Sequence, residues 1–226
     1  MKVITWNCNL KFKEKFELVN SHDPDICFIQ ECEKLKSDFF PNYKYFWTGR
    51  NENKGLGVLT KKNDFFVDET HNKDLINFLP IRSDDLRLLG VWSFNHRASK
   101  FGSEVSGNTI DAVNFYKDWF GNNDERCIVA GDFNNSIIWD KKGNDNNFNN
   151  IDGHLVDLGF VSNYHKLKNE GFGKESYATF FHTKKESKKY HIDYIYSKNL
   201  NPLELKVGSY AKWISYSDHS PLIAEL

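Results

Sequence analysis

The sequence predicts an α/β (α+β) protein in which two mixed β-sheets pack face to face and helices cover the outer faces. Three observations support this fold class. Strand-like and helix-like apolar segments are mixed along the chain, several neighbouring strands are joined as hairpins, and one strand–helix–strand unit indicates a parallel pair. The chain has 226 residues and shows neither an internal repeat nor a linker, so we expect one catalytic domain over residues 1–226.

The N-terminal segment predicts the parallel pair. Residues 2–8 alternate and are β-branched, which indicates a strand, and residues 11–21 place apolar side chains at helical spacing. Residues 26–29 form an apolar run typical of a buried strand. Because parallel strands end at the same edge of a sheet, we expect Asn7 and Glu31 to be neighbours.

The remaining elements follow from the same patterns. Residues 64–81 are ambiguous, with further strand possible, and the Asn-, Asp- and Lys-rich stretch 133–150 indicates a surface loop. Residues 176–182 and 191–197 should pair as a hairpin. Strands are predicted over residues 43–47, 57–60, 86–94, 127–131, 176–182, 191–197, 203–207 and 221–226, and helices over 109–120 and 151–158.

Composition bounds the class of protein, although it does not exclude a nucleic-acid groove. The formal net charge is −1, and lysine dominates the basic residues, so nothing favours a strongly basic nucleic-acid groove. The four cysteines lack the short spacing of a zinc site, and we expect them to be reduced and buried. No apolar run reaches transmembrane length, and residues 2–8 resemble a strand rather than a signal peptide. We therefore expect a soluble, cytoplasmic monomer.

Five short polar motifs, each expected at the end of an apolar strand, predict the functional site. Carboxylates brought together at one edge repel one another unless a cation lies among them, so the pattern predicts a divalent metal. The motifs are Thr5-Trp6-Asn7, Gln30-Glu31, Gly131-Asp132-Phe133-Asn134, His191-Ile192-Asp193 and Ser217-Asp218-His219.

The acids suggest separate roles. Glu31 and then Asp218 are the favoured ligands for Mg²⁺, which prefers hard oxygen donors. Asp132 is placed to orient and deprotonate a water, and Asn134 to hold a phosphate oxygen without adding charge. Each has a structural alternative: a solvent-facing acid for Glu31, and a turn or helix cap for the others.

An Asp–His pair completes the predicted site. Asp193 would orient His219 and favour its protonated form, which can stabilise charge developing on a phosphate. A single histidine is more often structural, so this role depends on the other motifs.

In their order along the whole chain, these motifs resemble the endonuclease/exonuclease/phosphatase superfamily. The resemblance implies a four-layer α/β sandwich and metal-dependent hydrolysis of phosphate esters. It implies Glu31 as the main metal ligand, with Asn7, Asn9 and Asp218 completing the metal site. It also implies the roles already given to Asp132, Asn134, Asp193 and His219.

One stretch departs from the family pattern. Where a His or Tyr usually contacts the phosphate, this chain has Val91-Trp92-Ser93-Phe94-Asn95-His96. Asn95 or His96 would be an imperfect substitute, and the departure weakens a DNA-repair assignment.

We therefore expect a Mg²⁺-dependent phosphodiesterase, with Mn²⁺ as a possible substitute, and in particular a nuclease acting on DNA or RNA. A phosphatase or phospholipase C-like enzyme acting on inositol phosphates or lipid head groups is the alternative. An inactive binding module is a remote one. Trp139 and Phe181 could stack on bases, although core packing is the simpler role for each. No protein partner can be inferred.

Overall fold

A computed structural model describes residues 1–62, 64–94, 108–121 and 124–226 of the chain. The first of two six-stranded sheets contains both termini of the described fold. In chain order its strands are β1 (Lys2–Asn7), β2 (Ile26–Cys32), β3 (Lys44–Asn51), β4 (Lys54–Thr60), β13 (Glu204–Val207) and β14 (Leu222–Glu225). They lie in the order β13-β14-β1-β2-β4-β3, and β1 and β2 are parallel.

The strands of the second sheet are β5 (Phe66–Val67), β6 (Phe78–Arg82), β7 (Arg87–Trp92), β8 (Cys127–Asp132), β9 (Val161–Ser162) and β12 (Asp193–Lys198). They lie in the order β5-β6-β7-β8-β12-β9. Among these described strands, β7 and β8 pair in parallel and the other neighbours are antiparallel, so both sheets are mixed. A separate two-stranded ribbon joins β10 (Phe180–Phe181) to β11 (Lys189–Tyr190).

Five α-helices and three short 3₁₀ turns complete the described elements. The helices are α1 (Phe12–Asn20), α2 (Thr109–Tyr116), α3 (Phe148–Asp157), α4 (Asn163–Lys168) and α5 (Tyr210–Trp213). The 3₁₀ turns are Ser37–Phe39, Ile137–Trp139 and His182–Lys184. Within the described ranges, no helix combines the length and the apolar character needed to cross a bilayer.

Three apolar clusters define four layers. The central cluster joins the facing sides of the two sheets, for example Phe28 and Val58 from one and Leu88 and Ile128 from the other. A second cluster packs α1 on the outer face of the first sheet, and a third packs α2 and α3 on the outer face of the second. The alternation of side chains along each strand produces these faces. The predicted sandwich of two mixed sheets with outer helices is confirmed.

Several local expectations are corrected. The ambiguous stretch 64–81 contains two strands of the second sheet, and the predicted loop 133–150 contains a 3₁₀ turn and the start of α3. The predicted hairpin survives only as the ribbon β10–β11, because β12 pairs with β8 instead. Helix α4 was not anticipated, because its six residues are too short to show a helical period. All four cysteines are free and buried, as expected.

Candidate active site

The polar motifs meet at one edge of the sandwich because of strand direction. Asn7 and Glu31 close the parallel strands β1 and β2, and Asp132 closes β8. The expectation that all five motifs end strands is wrong for the last two. Asp193 begins β12, and the third of the final motif's residues, His219, precedes β14. Both strands run antiparallel to their neighbours, so their starts lie at the same edge as the other strands' ends.

Local backbone geometry aims the acids into this edge. Glu31 lies in a β-bulge, where the pairing of β2 with β4 shifts register, and its φ is 59°. Gly131 has a φ of 153°, and an added Cβ would collide with the carbonyl of Val91 on the adjoining strand. Glycine therefore permits the close approach of β7 and β8 immediately before Asp132. Asn134 follows in the left-handed region, with φ 47°.

Asp132 is fully buried and is held by amide donors. Its Oδ2 accepts hydrogen bonds from Asn7 Nδ2 at 3.0 Å and from Asn134 Nδ2 at 2.9 Å, and its Oδ1 accepts from the Asn134 backbone N–H at 2.8 Å. Burial, then the charge of Asp193, raises the pKa of Asp132 to about 7, against the lowering effect of His219. A carboxylate with its pKa near neutrality is suited to accept a proton.

His219 and Asp193 form the predicted pair. The Nδ1–H of His219 donates to Asp193 Oδ2 at 2.9 Å, and its Nε2 lies 4.0 Å from Asp132 Oδ2. Burial alone would lower the pKa of His219, but Asp193 and then Asp132 outweigh it and raise this pKa to about 10. The imidazole is therefore protonated at neutral pH and offers Nε2–H as a donor to an anion.

Two asparagines connect the remaining acids. Asn7 Nδ2 lies 3.4 Å from Glu31 Oε1 as well as contacting Asp132, which confirms the expected proximity of Asn7 and Glu31. Asn9 Nδ2 donates to Asp218 Oδ1 at 3.1 Å. In this arrangement the amides position carboxylates, while the carboxylate oxygens of Glu31 and Asp218 are the strongest candidate ligands for a metal.

The chemistry of this edge fits a divalent cation. The ammonium of Lys54 lies 2.9 Å from Glu31 Oε2, so a positive charge already neutralises that acid. Asp132, Asp193 and His219 also offer ligand atoms within 4.8 Å of one another. A protonated imidazole has no free lone pair for a metal, however, so Glu31 and Asp218 stay the predicted ligands.

A half-buried lysine, Lys15, holds the loop that carries Asn9. Asn9, Leu10 and Lys11 all have positive φ, between 51° and 67°, which is costly for residues other than glycine. The ammonium of Lys15 donates to the carbonyls of Cys8 at 2.7 Å and Leu10 at 2.9 Å, and to Tyr216 at 2.7 Å. Lys15 thereby joins the loop after β1 to the segment that precedes Asp218.

Other supporting residues also escaped sequence reasoning. Ser217 Oγ donates to the Asn7 carbonyl at 2.7 Å and accepts from the His219 N–H at 2.9 Å. Thr179 Oγ1 accepts the N–H of Asp193 at 3.1 Å. Ser217 lies within a recognised motif, but Thr179 and Lys15 carry no signal in the sequence, because their partners are distant backbone groups.

The expected substrate contacts divide into three cases. Trp139 is 36% exposed, and its ring centroid lies 5.1 Å from that of Tyr190. Phe181 is buried against Tyr210, so its ring is not available for stacking, and its neighbour Phe180 instead contacts the His219 ring at 4.7 Å. Asn95 and His96 lie outside the described residues.

Comparison with solved structures supports the fold. A 3′-5′ exonuclease (NExo) from Neisseria meningitidis aligns with a TM-score of 0.75 and 19% identity, covering 100% of this chain and 99% of that chain. A 3′ phosphatase NExo variant from Neisseria bound to product DNA hairpin gives 0.72 and 18%, and an AP endonuclease from Archaeoglobus fulgidus gives 0.72 and 14%, each with the same coverage. At these identities the likeness establishes the fold alone. No curated protein matches the sequence.

A match to a protein-family model shows which family the chain belongs to. The model of the Endonuclease/Exonuclease/phosphatase family matches residues 4–219, a span that contains every motif described above. Its members are phosphoric ester hydrolases, which accords with a site built from a buried base, a protonated imidazole and clustered carboxylates. The chain belongs to the Endonuclease/Exonuclease/phosphatase family and is a phosphoric ester hydrolase.

Proposed function

We propose that this protein is a Mg²⁺-dependent phosphodiesterase and that its substrate is a nucleic acid. The observation that carries the proposal is the arrangement of Asp132 beside the Asp193–His219 pair, with Glu31 reached through Asn7. The proposal assigns these neighbouring residues the roles of proton acceptor, cationic donor and metal ligand. The single domain, the monomeric state and the cytoplasmic location stay predictions.

The residues of the site divide the hydrolysis of a phosphate ester among them. Asp132 accepts a proton from the attacking water, and its fixed hydrogen bonds keep one orientation. His219 Nε2–H donates to a phosphate oxygen as charge develops, while Asp193 keeps the imidazole protonated and oriented. Glu31 and Asp218 would hold the metal, and a bound Mg²⁺ would supply positive charge to the phosphate oxygens.

Asn134 has a narrower role than the sequence suggested. Its side-chain amide donates to Asp132 Oδ2 and to the carbonyl of Ser93 at 2.8 Å. Both hydrogen bonds of the side-chain amide are therefore taken up, one by Asp132 and one by the Ser93 carbonyl. In our proposal Asn134 acts first on Asp132, and contact with the phosphate requires it to exchange one of these partners.

A row of aromatic rings favours a nucleic-acid substrate. Phe180 contacts His219, Tyr190 lies 6.2 Å from Phe180 between ring centroids, and Trp139 follows at 5.1 Å. The row leads from the imidazole to an exposed indole. Stacking on such rings is the usual means of holding single-stranded bases. In our proposal Trp139 and Phe180 stack on bases, and Phe180 takes the role that the sequence suggested for Phe181.

A phosphomonoesterase acting on a nucleic-acid end is the second candidate. The solved structure titled as a 3′ phosphatase bound to product DNA hairpin shares this fold across the whole chain. The same Asp132 and His219 geometry would serve either ester, because the reaction at phosphorus is the same. Action on inositol phosphates or lipid head groups has no comparable support.

A substrate panel tests the proposal. Plasmid DNA, single-stranded DNA, RNA, a 3′-phosphorylated oligonucleotide, an inositol phosphate and bis-p-nitrophenyl phosphate are incubated with Mg²⁺, with Mn²⁺ or with EDTA. We expect release of nucleotides or phosphate from the nucleic acids, and no turnover in EDTA. Activity confined to the inositol phosphate, or unchanged by EDTA, would refute the proposal.

A further inference from the structure

A pocket of about 180 Å³ is lined in part by Lys54, which forms an ion pair with Glu31, and it shares no lining residue with the aromatic row beside His219. The hydrolysis proposed above assigns no role to the residues that line it. They include two aromatic rings, an aliphatic side chain, an amide and two cationic groups: Trp92, Phe94, Ile76, Asn77, Arg50 and Lys54.

The pocket is connected to the candidate active site by direct contacts. Lys54 Nζ lies 2.9 Å from Glu31 Oε2 and 5.4 Å from the centroid of the Trp92 ring. Trp92 pairs with Asp132 in the register of β7 and β8, and the carbonyl of the next residue, Ser93, accepts a hydrogen bond from Asn134. One wall of the pocket therefore continues directly into the strand ends that carry the catalytic groups.

The lining suits a flat, partly polar ring. The Trp92 and Phe94 rings are 4.9 Å apart between centroids and are tilted by 54°, and Ile76 adds an aliphatic surface. Asn77 contributes an amide that can donate and accept hydrogen bonds. Among the described residues, the buried indole N–H of Trp92 has no hydrogen-bond partner.

The rim suits an anion. Lys54 and Arg50 are both lining residues, so a ligand whose ring enters the pocket can keep a phosphate beside their cationic groups. The volume is below the roughly 300–1,000 Å³ typical of pockets that enclose a whole small molecule. It therefore suits a single ring system and not a complete nucleotide.

We propose that this pocket receives the base of the nucleotide that adjoins the scissile phosphate. The proposal rests on the proposed nuclease function and adds a base-binding site to it. Aromatic walls stack on any base, while an inositol ring would need polar partners on most sides, which this mainly apolar lining does not offer. The enzyme should accordingly require a base, and not only a sugar and a phosphate, on one side of the cleaved bond.

Base-deleted substrates test the proposal. Dinucleotides that carry both bases, or lack the base on one side of the phosphodiester bond, are compared by kcat/KM in Mg²⁺. We expect one of the two deletions to lower kcat/KM about 5- to 100-fold, the range for stacking one base on an aromatic side chain. In Phe94→Ala the ratio of kcat/KM for the complete dinucleotide to kcat/KM for the base-deleted one should be close to one. Phe94→Tyr should retain the wild-type ratio.

The matched control is Phe115→Ala, which removes a half-exposed phenylalanine from helix α2 and should retain the wild-type ratio. Because Phe94 packs against the central core, thermal unfolding of each variant is measured beside the kinetics. A wild-type enzyme that cleaves all three dinucleotides equally would overturn the pocket proposal and leave the nuclease function standing.

A binding measurement separates the two proposals. Calorimetry compares a nucleoside monophosphate with the corresponding sugar phosphate, using wild type and Phe94→Ala. If neither the dinucleotides nor the nucleic acids of the substrate panel are cleaved, the nuclease function fails, and tighter binding of the nucleotide that is lost in Phe94→Ala still supports the pocket. Equal binding of the two ligands by the wild type overturns it.

Discussion

Replacing Asp132 by asparagine should lower turnover by orders of magnitude without destabilising the fold. The carboxylate accepts three hydrogen bonds, all from amide groups of Asn7 and Asn134. An amide at this position has one acceptor oxygen, so at least one of these donors loses its partner, at a cost of roughly 1.5–3 kcal/mol.

A gain offsets this cost. The pKa of Asp132 is raised from 3.8 to about 7, so the folded protein disfavours the ionised carboxylate by roughly 4 kcal/mol, which a neutral amide does not incur. The two contributions have opposite sign, and the gain is the larger. We expect Asp132→Asn to be more stable than the wild type by about 1–2.5 kcal/mol, or roughly 2–10 °C in Tm for a chain of this length.

Catalysis has no such compensation, because an amide cannot accept the proton. We expect kcat to fall by roughly 10²–10⁴, the range for loss of a general base. The assay is steady-state hydrolysis of bis-p-nitrophenyl phosphate or single-stranded DNA, paired with a thermal melt. Asp152→Asn is the matched control, since Asp152 is a carboxylate that accepts a hydrogen bond from Tyr196 at 2.7 Å, away from the site. An Asp132→Asn enzyme that keeps its full rate would refute the assignment of the base.

Three further outcomes follow from the geometry. Lys15→Met should raise the Mg²⁺ concentration needed for the half-maximal rate, because Lys15 holds the loop that carries Asn9. Lys15→Arg should raise it less. Equal metal dependence in the wild type and both variants would contradict this role of Lys15. Gly131→Ala should destabilise the fold by at least about 2 kcal/mol, because its Cβ meets the Val91 carbonyl, and an unchanged melt would disprove this. In metal-free protein, His219 is protonated below its raised pKa of about 10 and loses the proton as the pH rises through that value. Because the charge of Asp193 contributes to the raised pKa, Asp193→Asn should move the titration of His219, followed by NMR, to lower pH. An unmoved titration would show that the pair is not coupled.

The sequence predicted which polar groups lie together better than it predicted the strand pairings. A strand–helix–strand unit was enough to place Asn7 beside Glu31, because the direction of parallel strands follows from the helix that joins them. Asp193 was assigned correctly as a partner of His219, although its strand begins rather than ends there. The pairing of β12 with β8 depends on long-range contacts that no local pattern records.

Residues that act through the backbone were beyond sequence reasoning. Lys15 looks like any exposed helix lysine, yet it holds a run of left-handed residues against the segment before Asp218. Phe180 and Phe181 are adjacent and chemically identical, and only the pleat of the ribbon decides which ring reaches His219. The sequence therefore could not show which of the two rings lies beside the imidazole.

Direct titration of Mn²⁺ by electron paramagnetic resonance, on wild type and Glu31→Gln, probes the convergence of these strand ends on a divalent ion. Wild type should bind Mn²⁺ in competition with Mg²⁺, and Glu31→Gln should bind it at least about tenfold more weakly, because a carboxylate ligand is lost. Identical binding by the two proteins, or no binding by the wild type, would contradict a metal centre built on Glu31.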